Sequence, residues 1–576
     1  MGSRPSTRWI AWLTKQSSKH EPAFRDNSFL KISLAFLLLV ICLGGDAFFE
    51  RNYLSFFFYF TFLSFIVLVF LLKTDSIRVP PAILLLIFLT GIYFCSILWS
   101  VKRWEAEITV VLLLTGFLSF FIFSNSRFEK EDILFFLKLI VIATSFQALW
   151  GILQGLLGYK FLSLHGFAAH GTLYNPNSFS GFLGMVYPMA LFIFIQGQKK
   201  GWLLPVGFIF LANLLSLSRV GIGTLLLTSL AALIFLFYRK DRSSLIKLLL
   251  TLLLSVFTYS LLVLLRGKLF DLTSEVSLLR DPILVASTSR FKIWVGTLPM
   301  IFHHPFFGVG LRSFEDFFKH FNDPQLIWPR PHAHNLFLHI TSEIGTIGFL
   351  FLIGFIFMTL SSALKQYKKT GDSQAKLFFF LLLLALSGFL FNNLVEYNWE
   401  HPVFQVLFYF MSSLALAGRE WTIPLSRIYK MILSGSLTLF FIFYVGFPSL
   451  GHTYLDKAKV ALAQGDERGL DYLIKASTFN PYDSEPYLVL SLMYEGAWVK
   501  TKKEAFLQKA IGAKTKAAHL SPMDPGLYLD LGKLLEKGKR REEARACYEK
   551  AMDIDPYTLK YREALASFLL RKTGED

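Results

Sequence analysis

Long apolar runs separated by short polar segments fill the first three quarters of the chain. A helix needs about 20 apolar residues to cross the hydrocarbon core of a bilayer. The pattern predicts thirteen such helices, at 29–48, 53–72, 79–99, 106–124, 133–157, 177–196, 201–217, 220–238, 245–265, 335–360, 376–396, 401–418 and 428–447. The runs at 201–217 and 401–418 are the weakest. We therefore expect an all-α, polytopic membrane helix bundle of about 12–13 transmembrane helices.

Two polar regions interrupt this pattern and divide the chain into domains. A large loop at 266–334 contains apolar residues at helical spacing, which predicts a helix lying on the membrane surface. These apolar residues are Ile293, Trp294, Leu298, Ile301 and Phe302. The second region is a soluble tail at 452–576. We expect a cytoplasmic N-terminal segment at 1–28, a membrane domain at 29–447 that includes the large loop, and the tail.

The tail contains an internal repeat. Asn480-Pro481, Ser521-Pro522 and Asp555-Pro556 each close a predicted helical pair, and the last two lie one tetratricopeptide period apart. The stretch from Tyr528 to Pro556 resembles a tetratricopeptide (TPR) repeat almost position by position. The tail is thus predicted to be an α-solenoid, whose concave surface suits a protein partner. A capped helical domain without a ligand is the alternative.

Composition excludes several classes of protein. Hydrophobic residues make up 54% of the chain and charged residues only 17%, against roughly a quarter in soluble domains. This balance excludes an ordinary soluble enzyme and a disordered chain, and three scattered cysteines exclude a disulfide scaffold. The net charge of +17 would suit nucleic acid, but the tail is nearly neutral, so we expect no nucleic-acid partner.

The positions of Lys and Arg predict the orientation of the helices. Placing the N-terminus in the cytoplasm puts most loop Lys and Arg on the cytoplasmic side, as the positive-inside trend requires. The short loops on the opposite side then hold only Arg51, Lys102, Arg103, Lys160 and Arg219. With thirteen helices, the tail lies outside the cytoplasm.

A histidine cluster lies on this outer side, where the large loop enters the tenth predicted helix. The segment Arg330-Pro331-His332-Ala333-His334-Asn335 is followed by a polar stripe of His339, Ser342 and Thr346, with Glu343 at its edge. Polar groups at membrane depth usually line a site or a cavity. His334 at the mouth of the helix suits a general base, although it could also simply hydrogen-bond its neighbours. A metal site formed with His303 and His304 lacks ligands at matching spacing, so we expect no metal.

Further polar groups lie on the same side. Arg219 and Arg290 each offer a planar fork of donors that matches phosphate oxygens, and contact with lipid headgroups is the alternative. The turn with Asn175 and Asn177 reads as a helix cap. Another patch comprises Asn392, Asn393, Glu396, Glu400 and His401. This patch either contacts acceptor sugars or caps helices.

These motifs occur in an order that resembles the O-antigen ligase and polymerase superfamily over roughly residues 30–420. The motifs are Asn-Pro-Asn at 175–177, Ser-Arg-Val-Gly at 218–221, Arg290 followed by His-Pro-Phe-Phe-Gly-Val-Gly at 304–310, and His334-Asn335 with Glu343 and Gly345 behind. Members are inner-membrane enzymes that use glycans carried on undecaprenyl diphosphate, without metal or cofactor. The resemblance implies that His334 is the catalytic histidine and that Arg219 and Arg290 hold the diphosphate, with His332 less secure.

The resemblance leaves the acceptor open. A lipid A-core sugar would make the chain a lipopolysaccharide ligase, another lipid-linked glycan would make it a polymerase, and a protein hydroxyl would make it an O-oligosaccharyltransferase. We favour the ligase, because the large loop follows the ninth helix and ends at the histidine. Alternatives of another class are a transporter of lipid-linked sugars, which should show inverted repeats and broken helices near the midplane, and a membrane scaffold whose tail recruits partners.

Overall fold

The computed structural model describes residues 28–44, 53–126, 128–158, 168–173, 175–197, 199–269, 282–322, 331–418 and 420–571. Apart from Ser28, the predicted N-terminal segment lies outside these residues. So do 270–281 and 323–330 of the large loop, the latter including Arg330.

Each predicted membrane span corresponds to an apolar helix. The first nine are α1 (Ser28–Gly44), α2 (Tyr53–Lys73), α3 (Ala82–Ser96), α4 (Arg103–Asn125), α5 (Lys130–Leu157), α6 (Pro176–Gly197), α7 (Leu203–Leu215), α8 (Arg219–Tyr238) and α9 (Arg242–Leu269). The large loop adds α10 (Pro282–His303) and α11 (Phe314–Phe321). The remaining four apolar helices are α12 (Leu336–Lys369), α13 (Ser373–Asn392), α14 (Pro402–Leu416) and α15 (Arg427–Phe441).

Among the described residues, eight helices are long and apolar enough to cross a membrane. They are α4, α5, α6, α8, α9, α12, α13 and the helical run that begins with α15. The other five apolar helices are shorter, and they include α7 and α14, which match the two weakest predicted spans. The chain is thus a polytopic helical membrane protein.

Two helices form the centre of the bundle. Every residue of α6 from Ser178 to Ile195 is buried, and so is every residue of α14. Apolar helices of a membrane protein contact either lipid or other helices, and the complete burial of these two shows that other parts of the chain enclose them. By contrast, α9 and α15 expose most of their apolar side chains at the periphery. The buried centre fixes the ends of α6 and α14, which carry polar groups at one end of the bundle.

A small β-ladder closes the other end, which we call the inner end. Strand β1 (Ser76–Val79) pairs antiparallel with β2 (Trp421–Pro424), with Ser76 opposite Pro424. The all-α prediction omitted these strands, which are too short to show an alternating pattern. Pairing satisfies backbone groups where two loops leave the bundle side by side. The ladder also places the basic loops near Lys73 and Arg427 at one end, as the predicted orientation requires.

A helix, α10, does occupy the predicted part of the large loop, and its position on the membrane surface stays a prediction. Ile293 and Met300 are buried, whereas Leu298 and Phe302 are exposed. Gly296 lies on the buried face, where its carbonyl accepts a hydrogen bond of 3.0 Å from Asn322 Nδ2. This close approach of the segment after α11 decides which side of α10 is covered, and spacing alone could not reveal it.

The helix α12 is broken in its outer third. Gly345 has φ 72° and ψ 179° inside the helix, a backbone conformation that favours glycine. The segment 305–310 fills the break: the N–H of Thr346 donates to the carbonyl of Pro305 (2.8 Å), and Val309 N–H donates to Ser342 O (2.9 Å). The span predicted at 335–360 gives no sign of this break, and Thr346 does not continue the polar stripe.

The tail consists of helix pairs. They are α16 (Phe447–Ala463) with α17 (Arg468–Phe479), α18 (Glu485–Thr501) with α19 (Glu504–Leu520), and α20 (Pro525–Lys537) with α21 (Arg541–Ile554), followed by α22 (Leu559–Leu570). The second helix of each pair ends where the sequence predicts. The C-terminal caps of these helices are Asn480, Ser521 and Asp555. Their assignment as tetratricopeptide repeats stays a prediction. A π-helical turn at Ile442–Gly446 joins α15 to α16 without a break.

Candidate functional site

Glu396 lies at the centre of a polar cluster at the outer end of the bundle, opposite the β-ladder. Its two carboxylate oxygens have different partners. Oε1 accepts a hydrogen bond from the guanidinium of Arg290 on α10. Oε2 lies 3.2 Å from Nδ1 of His334. The carboxylate is only 6% exposed, whereas the Arg290 and His334 side chains remain 26% and 22% exposed. Both partners can therefore reach a substrate.

The local backbone holds His334 in place. Its φ of 49° lies in the left-handed region, which is uncommon for a residue with a side chain. The next residue, Asn335, caps α12: its side-chain oxygen accepts from the N–H groups of Phe337 and Leu338 (3.0 Å each), and its Nδ2 donates to the carbonyl of Leu394 (2.8 Å). Asn335 therefore fastens the histidine turn to the segment that carries Glu396.

The contact with Glu396 indicates which nitrogen of His334 carries the proton. A carboxylate only accepts hydrogen bonds, so Nδ1 is assigned the proton and Nε2 keeps its lone pair. Histidines whose one nitrogen is held in this way commonly use the other as a base or a ligand. The exposed part of the ring is thus able to accept a proton.

Other aromatic and imidazole rings pack behind His334. The rings of His332 and His334 meet edge to face with centroids 4.3 Å apart, and Tyr397 lies 5.5 Å from His332 and 4.1 Å from His339. The Tyr397 hydroxyl donates to Glu400 Oε1 (3.1 Å). Burial, with the nearby carboxylates of Glu400 and Glu343, raises the pKa of Tyr397 well above its usual value. The phenol therefore stays protonated and acts as a donor.

Glu343 connects the broken helix to the large loop. It is buried, with Oε2 3.5 Å from Nε2 of His339, and its Oε1 accepts from the backbone N–H of Phe314 (3.3 Å) at the start of α11. Its carbonyl accepts from Gly310 N–H (2.9 Å). This geometry gives Glu343 a supporting position behind the histidines, away from the exposed cluster.

Arg312 forms a second ion pair beside the first. Its guanidinium lies 2.8 Å from Glu400 Oε2, and its Nε donates to Thr109 Oγ1 (2.7 Å) on α4. Arg312 thus neutralises the charge of Glu400, and the Tyr397 hydroxyl adds a hydrogen bond. The two carboxylates of the same loop have separate cations, so Glu396 alone joins an arginine to His334.

Arg219 is the first residue of α8 and is exposed at this end of the bundle. Two residues later, Gly221 packs directly on the side chain of Ser180, so α8 lies close against α6. On α6, Ser178 Oγ donates to Asn398 Oδ1 (2.7 Å), and Asn398 Nδ2 donates to Asn392 Oδ1 (2.8 Å). A line of hydrogen bonds therefore leads from the start of α6 to the loop that carries Glu396.

Asn175 and Asn177 form the predicted turn at the start of α6. Asn175 Oδ1 accepts from Asn177 N–H (2.8 Å), and the Asn175 carbonyl accepts from Phe179 N–H (2.9 Å). Both contacts organise the first turn of the helix. Their position next to Ser178 places them beside this line of hydrogen bonds, but their own contacts are those of a helix cap.

The histidines considered as metal ligands lie in two separate places. His303 stacks on Phe321 and His304 meets Phe317 edge to face, whereas His332 and His334 pack on each other. The described residues contain no group of three or more His, Cys, Asp or Glu placed to hold a metal ion. A cavity of about 380 Å³ beside His304, lined also by Trp99, Phe307 and Phe317, leaves space for a substrate group at this end.

A family model described as O-antigen ligase matches residues 204–353. The matched segment runs from α7 into α12 and contains Arg219, Arg290 and His334, but neither Glu396 nor the tail. The match supports the O-antigen ligase superfamily and, at the level of the family, a membrane glycosyltransferase. Such enzymes act in general on a lipid-linked glycan and an acceptor. A search of curated proteins finds no match.

The sequence places Glu396 in a polar patch but does not connect it to His334 or Arg290. Because these residues are 62 and 106 positions away in the chain, no spacing pattern links them. One signal was available: a carboxylate near membrane depth needs a cation, and Arg290 was already expected on the same side. Arg312, which pairs with Glu400, was not predicted.

Proposed function

We propose that this protein transfers a glycan from undecaprenyl diphosphate to an acceptor hydroxyl at the outer face of a bacterial inner membrane. The observation that carries the proposal is the joint contact of Glu396 with Arg290 and His334. It brings a base and a phosphate-binding cation to one buried carboxylate at the end of a membrane bundle. The family match over the segment that contains both residues supports the same reaction class.

His334 acts as the base in this proposal. Its Nε2 accepts the proton of the acceptor hydroxyl while the hydroxyl oxygen attacks the anomeric carbon. The bond between that carbon and the diphosphate oxygen breaks, and its electron pair leaves with undecaprenyl diphosphate. A single displacement inverts the anomeric configuration. The activated donor supplies the driving force, so the reaction needs no nucleotide outside the cell.

Arginines stabilise the leaving group. Arg290 presents an exposed guanidinium edge next to His334, and Arg219 lies exposed at the start of α8. Fixed cations placed where negative charge develops lower the barrier to its departure. The prenyl chain lies between the apolar outer helices, whose exposed Phe and Leu side chains face lipid.

The proposed orientation puts the N-terminus in the cytoplasm and the tail in the periplasm. The tail lies at the same end of the bundle as the site, because the ring of Tyr482 packs 3.6 Å from the guanidinium carbon of Arg103 at the start of α4. We propose that its helix pairs are tetratricopeptide repeats that bind a protein partner. A reporter fused at Asp576 should be active outside the cytoplasm, and activity only in the cytoplasm would overturn this orientation.

For the acceptor we propose a lipid A-core sugar, which makes the protein a ligase. The alternatives are a second lipid-linked glycan and a protein hydroxyl. Surface glycans of a deletion strain separate the three cases. Loss of capped lipopolysaccharide supports the ligase, loss of a lipid-linked polymer supports the polymerase, and loss of glycoprotein supports an O-oligosaccharyltransferase.

One observation favours a second function, a transporter of the same lipid-linked sugars. The helix α12 is broken at Gly345, and broken helices mark substrate sites in many transporters. The break lies about ten residues into a helix of 34 residues, however, and the segment 305–310 bonds its free backbone groups. A transporter would move labelled lipid-linked glycan across vesicles without forming a glycosidic bond.

The direct test uses purified protein in nanodiscs with a labelled lipid-linked glycan and an acceptor. His334→Ala should lower transfer by about 10²- to 10⁴-fold, the usual contribution of a general base. His452→Ala is a matched control, because His452 belongs to the tail helix α16 and should leave transfer unchanged. Normal transfer by the His334 variant would reject the enzyme mechanism and favour the membrane scaffold.

A further inference from the structure

The two oxygens of Glu396 have competing roles. One pairs with Arg290, which the proposed reaction needs for the donor diphosphate, and the other holds His334, which the reaction needs as a base. In this structure Arg290 is therefore already paired. A donor diphosphate that approaches Arg290 must share or replace the bond to Glu396.

Hydrogen bonds of the backbone hold the loop that carries the carboxylate. The backbone N–H of Glu396 donates to the carbonyl of Asn392 (3.0 Å), and Asn398 N–H donates to Asn393 Oδ1 (3.0 Å), so the loop is fixed on both sides. Leu336 N–H also donates to the carbonyl of Asn393 (2.9 Å). A buried carboxylate that loses one cation must strengthen its bond to the other partner. That remaining partner is His334.

We propose that Glu396 is a positioning residue that couples donor binding to the activation of His334. The donor diphosphate takes Arg290 from Glu396, and the released carboxylate then pairs with His334 alone. It holds the Nδ1 proton and stabilises the imidazolium that forms when Nε2 takes the acceptor proton. The base is therefore strongest only when the donor is in place, and this inference rests on the proposed function.

The arrangement of charges favours this coupling over a static ion pair. A diphosphate carries more charge than a carboxylate and matches the guanidinium fork with two oxygens. The neighbouring Glu400 does not compete, because Arg312 and Tyr397 occupy its oxygens. In the transfer step the proton lost by the acceptor hydroxyl moves to His334, so the charge around Glu396 becomes balanced as the diphosphate leaves.

The test separates binding from chemistry. Glu396→Gln keeps the size of the side chain and removes its charge, so Arg290 becomes free while His334 loses its carboxylate. We expect the variant in nanodiscs to bind farnesyl diphosphate about fivefold more tightly than the unaltered protein. We also expect kcat for glycan transfer to fall at least about tenfold. If Glu396 only maintained the fold, its replacement would weaken the binding of farnesyl diphosphate and lower kcat.

Three further variants complete the test. Glu400→Gln is the matched control, since it removes the other carboxylate of the same loop and should not tighten binding of farnesyl diphosphate. Arg290→Gln/Glu396→Gln should lose the gain, because the gain depends on the free arginine. Glu396→Asp keeps the charge on a shorter side chain and should lower kcat without tightening binding, which tests the coupling even if the glutamine variant does not fold.

The outcomes distinguish the coupling from the proposed function. If Glu396→Gln binds farnesyl diphosphate no more tightly while His334→Ala abolishes transfer, the coupling is wrong and the glycosyltransferase stands. If Arg290→Gln leaves binding of farnesyl diphosphate unchanged, the donor contact itself is wrong. If His334→Ala transfers glycan normally, the proposed function fails whatever the binding data show.

Discussion

The two ends of the bundle use the same types of charged residue in different ways. At the inner end, Lys430 lies 2.8 Å from Asp75, and Arg78 lies 3.4 Å from Glu420. Asp75 is 90% exposed. At the outer end, the buried carboxylate of Glu396 serves two partners whose other sides are open.

The Glu396 cluster differs from the Asp75–Lys430 pair in the burial of its carboxylate, which is 6% exposed against 90% for Asp75. Ion pairs exposed to water contribute little to stability, because solvent and salt screen them. A buried carboxylate must be paired, and when its partners are half-exposed it holds their polar groups ready for a ligand. The inner end thus joins two loops, whereas the outer end is suited to chemistry.

The largest expected effect is that of removing Arg290 at the outer end, and removing Arg78 at the inner end provides the comparison. Arg290 and Arg78 have similarly exposed side chains, 26% and 23%, and each pairs with one glutamate. Arg290→Gln should lower glycan transfer by roughly 10²- to 10³-fold, the loss typical of a removed donor to a developing charge. Arg78→Gln should change it less than about twofold. Equal losses of glycan transfer in the two variants would show that the two ends of the bundle do not differ in function.

The next effect concerns the break in α12 that supports the outer end. Gly345→Ala places a Cβ against the carbonyl of Phe306 at a positive φ, so we expect a loss of about 2 kcal/mol or more. Gly223→Ala in α8 is the control, since no heavy atom lies within 4 Å of the added carbon. Thermal unfolding in detergent measures both. An unchanged midpoint for the Gly345 variant would show that the break does not constrain the fold.

A smaller effect is expected from Asp483, a buried aspartate of the tail. Burial raises the pKa of Asp483 to about 6, with Glu485 and Glu105 adding to the rise. The folded protein therefore binds this proton more tightly than the unfolded chain, whose aspartates titrate near pH 4. The stabilisation is full below that pH and is lost as the pH rises through 6.

Between pH 7 and pH 5 the protonation of Asp483 should stabilise the folded tail by about 1 kcal/mol. Unfolding of the full chain at the two pH values measures this gain, and Asp483→Asn should remove it. The exposed Asp471 provides a control, since Asp471→Asn should leave the pH dependence as it was. A gain that persists without Asp483 would assign it to other groups.

The smallest effect is expected at the inner end. Asp75→Asn removes the carboxylate that pairs with Lys430, but this side chain is almost fully exposed. The midpoint of thermal unfolding should shift by no more than about 1 °C, and glycan transfer should not change. A large loss of thermal stability or of glycan transfer would show that the inner end does more than join two loops.

Much of the bundle follows from the sequence because hydrophobic length is a local property. A run of about 20 apolar residues predicts a helix without reference to the rest of the chain. Every predicted span accordingly corresponds to a helix. The ends of the tail's helix pairs follow equally from Asn-Pro, Ser-Pro and Asp-Pro. The sequence did not predict the break at Gly345, because the segment that fills it, 305–310, comes from elsewhere in the chain.

The sequence by itself determined the apolar helices. It also predicted an outer position for His334, Arg219 and Arg290 and, through the resemblance, their roles. Only the tertiary structure decided that Glu396 joins His334 to Arg290. The physical reason is that apolar periodicity acts over one helix turn, whereas a shared carboxylate depends on where three distant segments meet. Burial, which gives that meeting its strength, exists only once the bundle has folded.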